Sequence, residues 1–542
     1  MIRTVDLLVI GAGAAGLRAA CAAAEKGIDV LIVGKGSCVS PEIMGFNCAV
    51  EPGDTAQCFY EDIMQAGQGI NNTALARKLA EDSVHEAEFL EDLGLAFDRR
   101  EDGKYHTLST LGCRYSRLVH YKALTGVEEV RLMGQNARKL HVSFEERVTI
   151  TDLVICDGRV CGAVGLHNED GSFAAFRANA VVLASGGGSA IRSISTYPKT
   201  YTGDGYAIAA RAGARLVDME FQQFEPCSFV YPEALRGKIV PTTLLRSGAK
   251  LLNGRREEFM ERYGLSRENA RKGPLSRAIA SEIAAGRGTP HGGIYYDMTM
   301  LPAELIVQGH SIFYTPAKAA GLDITKMPAE MAPASHTFMG GVKARDDAST
   351  EVQGLFVCGE VMGGVHGADR IGGNAGAEVL VFGHQAGESA AAYLARGVRD
   401  ISEGMFLEAE SKFEARHNAS RNRRNGIPVS ELRCRLTNVM DQYVGILREE
   451  AGLKKALAAL DELDQAFGSA CSDGGNGVRA LYECENLLLF GRMQVMASLL
   501  RRESRGVFTR TDYPARDDAS WKKNIVFHLE NGSPVAEICE TT

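Results

Sequence analysis

Residues 4–10 form a mainly apolar run, interrupted only by Asp6 after the opening Thr4, and the alanine-rich stretch 17–26 follows after a short glycine-rich break. An apolar run of that length predicts a buried strand, and the alanine-rich stretch predicts a helix packed on it. Residues 29–33 predict a second strand, 73–93 an amphipathic helix and 121–140 a mixed helical stretch. The pattern then switches to alternation between 148 and 166, broken only by Asp157-Gly158, which predicts a β-hairpin with the turn dipeptide such turns prefer. A further strand is expected over 180–184, closed by Ser185-Gly186-Gly187-Gly188. From 224 to 331 prolines and short helical segments dominate, and strand-like residues return at 354–360. Residues 402–502 carry a helical pattern, richest in Leu, Ala, Lys and Glu over 453–467, and the tail beyond Arg505 reads as irregular.

The break at the start of the chain reads Gly11-Ala-Gly-Ala-Ala-Gly16, between a strand and a helix. In that order the three glycines have separate duties. Gly11 permits a tight turn, Gly13 lets the backbone approach a pyrophosphate, and Gly16 lets the helix lie close on the strand while its first amides face negative charge. The second strand ends at Gly34-Lys35, where an NAD site would place an acid for the ribose hydroxyls. The missing acid favours FAD over NAD.

Sixty glycines gather in motifs and not in low-complexity tracts, and 542 residues are too many for one ordinary core, so several domains are expected. A net charge of −8 argues against a nucleic-acid partner. No apolar stretch reaches membrane-spanning length, and a strand starting at residue 4 leaves no room for a signal peptide, so a cytoplasmic location is expected. The thirteen cysteines show no Cys-x-x-Cys pair and no Cys/His spacing suited to zinc or an iron–sulfur cluster, so no metal site is expected. Any cluster that exchanges electrons with the cofactor would therefore belong to another chain.

Taken with Ala184-Ser-Gly-Gly, Thr202-Gly-Asp-Gly205, Asp218-Met-Glu-Phe-Gln-Gln-Phe224, Leu251-Leu-Asn253, Phe259-Met-Glu-Arg-Tyr263, His336-Thr-Phe-Met-Gly-Gly341 and His366-Gly-Ala-Asp-Arg-Ile-Gly-Gly-Asn374, the chain resembles the flavoprotein subunits of the succinate dehydrogenase and fumarate reductase family. That family also includes L-aspartate oxidase and the adenylylsulfate reductase α subunit. Ser504-Arg-Gly506 and 512–518 are similar to its closing segment. The resemblance implies an α/β fold: a Rossmann-like FAD-binding domain in two parts (1–223 and 332–400), an inserted α+β capping domain (224–331), a C-terminal helical domain (401–505) and a tail (506–542). It implies cofactor contacts from Gly11, Gly13, Ala14, Ala15, Gly16, Gly34, Lys35, Ala184, Ser185, Gly186, Gly187, Asp204, Glu360, Arg370, Gly373, Asn374 and Ala375, with Glu360 on the flavin ribityl chain. An iron–sulfur protein partner is implied in the same way.

Departures from the family pattern fall where the chemistry is expected. Members that attach FAD covalently do so through a histidine in a Ser-His-Thr segment, and Ser40-Pro41-Glu42 stands there, so FAD is expected to be noncovalent. His336 and Arg370 match the family's substrate-binding histidine and arginine. Glu225 replaces a second histidine, Pro241-Thr242 replaces a threonine–glutamate pair, and Leu245 falls near an arginine of the proton path. The proton-donating arginine aligns with Lys272, or with Arg271 after a one-residue shift. Glu225 and the Arg271-Lys272 pair could also be solvated loop charges.

The resulting expectation is an FAD-dependent oxidoreductase that moves a hydride between flavin N5 and a small anionic organic substrate. Arg370 and His336 would orient that substrate, and Lys272 or Glu225 would handle protons. Classical succinate or fumarate turnover is disfavoured by the altered positions. An amino-acid or sulfur-oxyanion substrate, and a non-catalytic electron-transfer role beside an iron–sulfur protein, remain alternatives.

Overall fold

The computed structural model describes residues 2–268, 270–397, 399–423, 426–472 and 477–542. At its centre is a sheet of seven strands in the order Ser143–Glu146, Val30–Gly34, Ile2–Ile10, Phe173–Leu183, Arg159–His167, Val148–Cys156, with Leu355–Val357 paired to the far half of Phe173–Leu183. Ile2–Ile10 runs parallel to both neighbours, and its apolar residues 7–9 are fully buried, as a strand covered on both faces must be. The helix Ala14–Ala24 packs against Asn374–Leu394 through small residues. A Cβ on Gly387 would lie 2.3 Å from the Ala19 carbonyl oxygen, so only glycine allows that approach.

The predicted amphipathic helix is Thr73–Asp92 and the mixed stretch is Thr125–Lys139. The hairpin at 148–166 forms with Asp157 and Gly158 both at positive φ (50° and 72°), the geometry of a type I′ turn. The last strand of that group starts at Phe173, well before residue 180.

A second hydrophobic core lies between 227 and 331. There the strands Gln222–Tyr231, Ala329–Phe338, Ile294–Asp297 and Lys250–Leu252 form an antiparallel sheet in that order, covered by Lys272–Glu282 and shorter helices. The helices Gly404–Asn422, Val429–Tyr443, Glu450–Phe467 and Gly477–Leu500 follow.

The tail is not irregular, which corrects the sequence reading. Lys523–Glu530 and Ser533–Glu540 form a hairpin around Asn531-Gly532, both at positive φ (50° and 80°), and it joins Leu216–Val217 in a five-stranded sheet. The Asn-Gly turn signal was present, but the solvent-facing half of Ser533–Glu540 weakens the alternation that would have declared a strand. Arg501, Arg505, Glu220 and Glu503, all buried, form a network at the root of this tail: Arg501 pairs with Glu220 at 2.6 Å and Glu503 at 3.0 Å, Arg505 pairs with Glu503 at 2.6 Å, and Arg501 donates to the Trp521 and Lys523 carbonyls at 3.0 and 2.9 Å. Among the described residues no helix is long and apolar enough to cross a membrane.

Candidate active site

The end of the strand Ile2–Ile10 opens into a long cleft, and sterics explain its glycines. Gly11 sits at φ +120°, and a Cβ there would lie 2.1 Å from the Ala184 carbonyl oxygen; one on Gly16 would lie 1.9 Å from the Gly11 oxygen. Gly13 caps the helix Ala14–Ala24, and a Cβ there would meet only side chains, Ser40 Oγ being nearest at 3.1 Å. Ser40 also accepts the Ala14 N–H at 2.9 Å, a helix-end contact between segments 26 residues apart that no local spacing announces.

Of the expected cofactor residues, Gly11, Gly13, Ala14, Ala15, Lys35, Ala184, Ser185, Gly186, Gly187, Asp204, Glu360 and Ala375 line this cleft. Gly16, Gly34, Arg370, Gly373 and Asn374 lie behind or beyond it. Gly34 packs toward the Ala12 methyl (3.3 Å for an added Cβ), and Asn374 Oδ1 accepts from Asn47 Nδ2 at 2.6 Å beside Gly373 at φ +88°. Lys35 is clamped between Asp204 (2.7 Å) and Glu483 (2.8 Å). Burial alone would raise the Asp204 carboxyl, but Lys35, Asn486 and Thr202 outweigh it and hold Asp204 below its ordinary range. Glu360 lacks such a cation at hand: burial pushes it up to about 8, although Oε1 accepts the Phe338 N–H at 3.0 Å. A Cβ on Gly187 would come within 2.0 Å of Glu360 Oε1, so backbone and carboxyl meet the cleft side by side. The Ser185 hydroxyl is shut off from water with no protein partner. A glycine cradle with a neutral buried carboxyl and an unsatisfied hydroxyl fits a large cofactor with its own hydrogen-bonding edges.

A second group of polar residues gathers on the paired strands Gln222–Tyr231 and Ala329–Phe338 and the segments beside them. On those strands Phe224 stands opposite Ser335 and Glu225 opposite Ala334. Lys272 opens the helix that packs on the first of them, and its Nζ lies 2.5 Å from Glu225 Oε2. Glu225 is buried in a strand, so the solvated-loop reading fails for it; Arg271 is exposed, so Lys272 is the residue of the two that faces Glu225. The His336 Nδ1 is 2.8 Å from Thr196 Oγ1, and the ring lies 5.3 Å from that of Tyr197. Burial, then the cations Lys272 and Arg370, hold its imidazole well below the usual range, so it is neutral.

Arg370 is buried. It donates to Gln223 Oε1 at 2.9 Å and to the Ile371 carbonyl at 3.3 Å, while its Nε has no partner. Gln223 in turn donates to Asp369 at 2.8 Å, and burial raises the Asp369 carboxyl. Sequence reasoning missed Gln223, Asp369, Thr196 and Tyr197. Gln223 and Asp369 lie inside quoted motifs, beside Phe224 and Arg370, and adjacency was the signal available; nothing marked Thr196 or Tyr197.

This geometry has a match among known proteins. A family model described as "FAD binding domain" matches residues 6–375, and one described as "Fumarate reductase flavoprotein C-term" matches 433–538. The chain belongs to the succinate dehydrogenase/fumarate reductase flavoprotein family. It is an FAD-dependent oxidoreductase. It is similar to a fumarate reductase (CoM/CoB) subunit from Methanothermobacter marburgensis, with 36% identity over 96% of this chain and 97% of that one. It is also similar to L-aspartate oxidase of Yersinia pestis, with 29% identity over 94% and 96%. Among solved structures, Mycobacterium smegmatis Sdh1 in complex with UQ1 superposes with a TM-score of 0.90 at 33% identity, covering 100% of this chain and 95% of that one.

Proposed function

We propose that this flavoprotein exchanges a hydride with a small organic substrate bearing one anionic end, bound against Arg370 and His336, with Lys272 and Glu225 handling the proton. FAD, held noncovalently, supplies the two-electron chemistry when bound. The observation that carries the reading is the unpartnered Nε of buried Arg370. A buried guanidinium donor left without an acceptor is costly, and a substrate carboxylate or other oxyanion would satisfy it through a charge-assisted bond. Neutral His336 can donate to or accept from the same anionic end without adding charge.

The Lys272–Glu225 pair keeps an ammonium and a carboxylate in contact beside that group, so a proton can be given to, or taken from, a carbon or nitrogen of the substrate. Noncovalent attachment is supported by Pro41, which occupies the attaching position, and by the absence of histidine from the described residues that line the cleft. We further propose an iron–sulfur protein as electron partner. The relative from Methanothermobacter marburgensis is itself one component of a larger enzyme, and among the described residues the cysteines do not gather into a group that could hold a cluster. Thirteen unpaired thiols suit the reducing cytoplasm.

Fumarate reduction is the second reading, favoured by the 36% identity to the fumarate reductase relative. One anaerobic experiment separates them. The bound flavin is reduced chemically, and its absorbance is followed on adding fumarate and, separately, enoates, imino acids and sulfur oxyanions. Reoxidation by a compound with one anionic end, lost in Arg370→Ala, supports the proposal. Reoxidation by fumarate alone replaces it with the second reading. No response to any compound overturns both in favour of a protein that only relays electrons.

A further inference from the structure

On the opposite side of the helix Asn374–Leu394 from the cleft, its residue His384 meets His85 and Glu86 of the helix Thr73–Asp92. Among the described residues these three form the group of potential metal ligands whose donor atoms all lie within 4.8 Å of one another. His384 Nδ1 is 3.1 Å and His85 Nδ1 3.6 Å from the same oxygen, Glu86 Oε1. The two imidazoles lie parallel, 5.4 Å between centroids and 11° between planes. A tetrahedral zinc ion with bonds of 2.0–2.1 Å sets its donors about 3.3 Å apart, the spacing these atoms bracket.

Glu86 is placed to serve as the anionic member. Its carboxylate is buried, and Arg18 Nε takes the other oxygen at 2.6 Å, with Nη2 at a looser 3.2 Å from Oε1. The guanidinium therefore fixes the carboxylate plane and leaves Oε1 directed at both histidines. A carboxylate, Glu388, stands on the far side of His384, 3.8 Å from Nε2 and paired with Lys26 at 3.1 Å, close enough to favour the ring electrostatically without a hydrogen bond. His85 is exposed, so an ion reaches the group directly from solvent.

We propose that His85, Glu86 and His384 form a site for a divalent transition metal, with zinc fitting the two-nitrogen, one-oxygen donor set, and water completing the shell. Bound there, the ion would cross-link two helices. The ligands come from helices far apart in sequence, which is why no Cys/His spacing announced them.

The test uses the full chain with its flavin. Calorimetric titration with zinc chloride is expected to show one equivalent bound per chain, lost in the double variant His85→Ala/His384→Ala while flavin content is unchanged. In the unaltered protein, zinc is expected to protect both His85 and His384 from diethylpyrocarbonate, read by mass spectrometry. Absence of binding, an isotherm unchanged in the double variant, or equal modification with and without zinc would each overturn the proposal. The protection experiment holds even where the double variant misfolds.

Discussion

Replacing Lys272 with Met is the sharpest perturbation of the proposed proton site. It removes the ammonium that lies 2.5 Å from Glu225 and leaves a carboxylate that is 4% exposed without its cation. Removing one partner of a fully buried pair costs about 3–5 kcal/mol, and an exposed pair is worth about 0.2–1 kcal/mol. Lys272 keeps a third of its side chain in water, so the expected loss of stability is intermediate, about 1–3 kcal/mol. The catalytic loss is a separate quantity. A positioned proton donor contributes roughly 10²–10⁴ in rate, or about 3–5 kcal/mol of barrier.

The assay is single-turnover reoxidation of the reduced flavin by stopped flow, using whichever compound reoxidises the unaltered protein, beside a urea denaturation series. The double variant Lys272→Met/Glu225→Gln then separates the two effects. It is expected to regain stability, because no buried charge is left alone, but to keep the slow rate. A Lys272→Met rate within about threefold of the unaltered protein would refute the proton role, since that is below the smallest contribution expected of such a group.

Gly11→Ala is expected to purify with little flavin, read from the absorbance near 450 nm against protein, because its Cβ would stand 2.1 Å from a main-chain oxygen at φ +120°; a full complement of flavin would contradict the steric account. Glu129 is buried with both carboxylate oxygens unpartnered, and burial raises it to about 8 from an ordinary 4.5. The folded state thus holds this proton while the unfolded state releases it, so Glu129's contribution to stability falls as pH rises from about 4.5 through about 8. Glu129→Gln should raise the thermal midpoint at pH 8.5 and not at pH 4, and an equal shift at both would be evidence against the assignment. Arg501→Met strands Glu220 in the interior, while Glu503 keeps Arg505, and is expected to cost about 3–5 kcal/mol. Trp521, whose ring centre lies 5.6 Å from the Arg501 guanidinium, reports it through the urea midpoint of its fluorescence. An unmoved midpoint would show the network to be dispensable.

Local signals were legible in the chain where one short segment settles the geometry. Gly16 is required by a contact with Gly11 in its own strand–turn–helix unit, and Asp157-Gly158 sets its hairpin alone, so both could be read from spacing; Gly11 could be read from the same motif although the oxygen that excludes a side chain there belongs to distant Ala184. Lys272 against Arg271 could not be decided from spacing, because the answer depends on which residue of the helix end turns toward Gln222–Tyr231. Gln223 and Asp369 escaped for a related reason: the two are joined only when the fold sets the strand of Gln223 against the loop that carries Asp369 and Arg370. The tail was misread because its strand Ser533–Glu540 is half solvated and takes its order from Lys523–Glu530, and not from its own alternation.

The strand Leu355–Val357 has a consequence for how the chain is made. Val181, Val182 and Leu183, all fully buried, owe one flank of their backbone to it. On the ribosome those three residues emerge long before their partner, and the span between them takes roughly 10–30 s at ordinary elongation rates. Throughout that interval an apolar strand edge lies open to other nascent chains. The same delay governs cofactor loading, since the cleft lacks Glu360 and Ala375 until the strand has arrived. Slowed synthesis would lengthen the exposure, so expression with abundant chaperone, and not merely with abundant flavin, is the condition this topology favours.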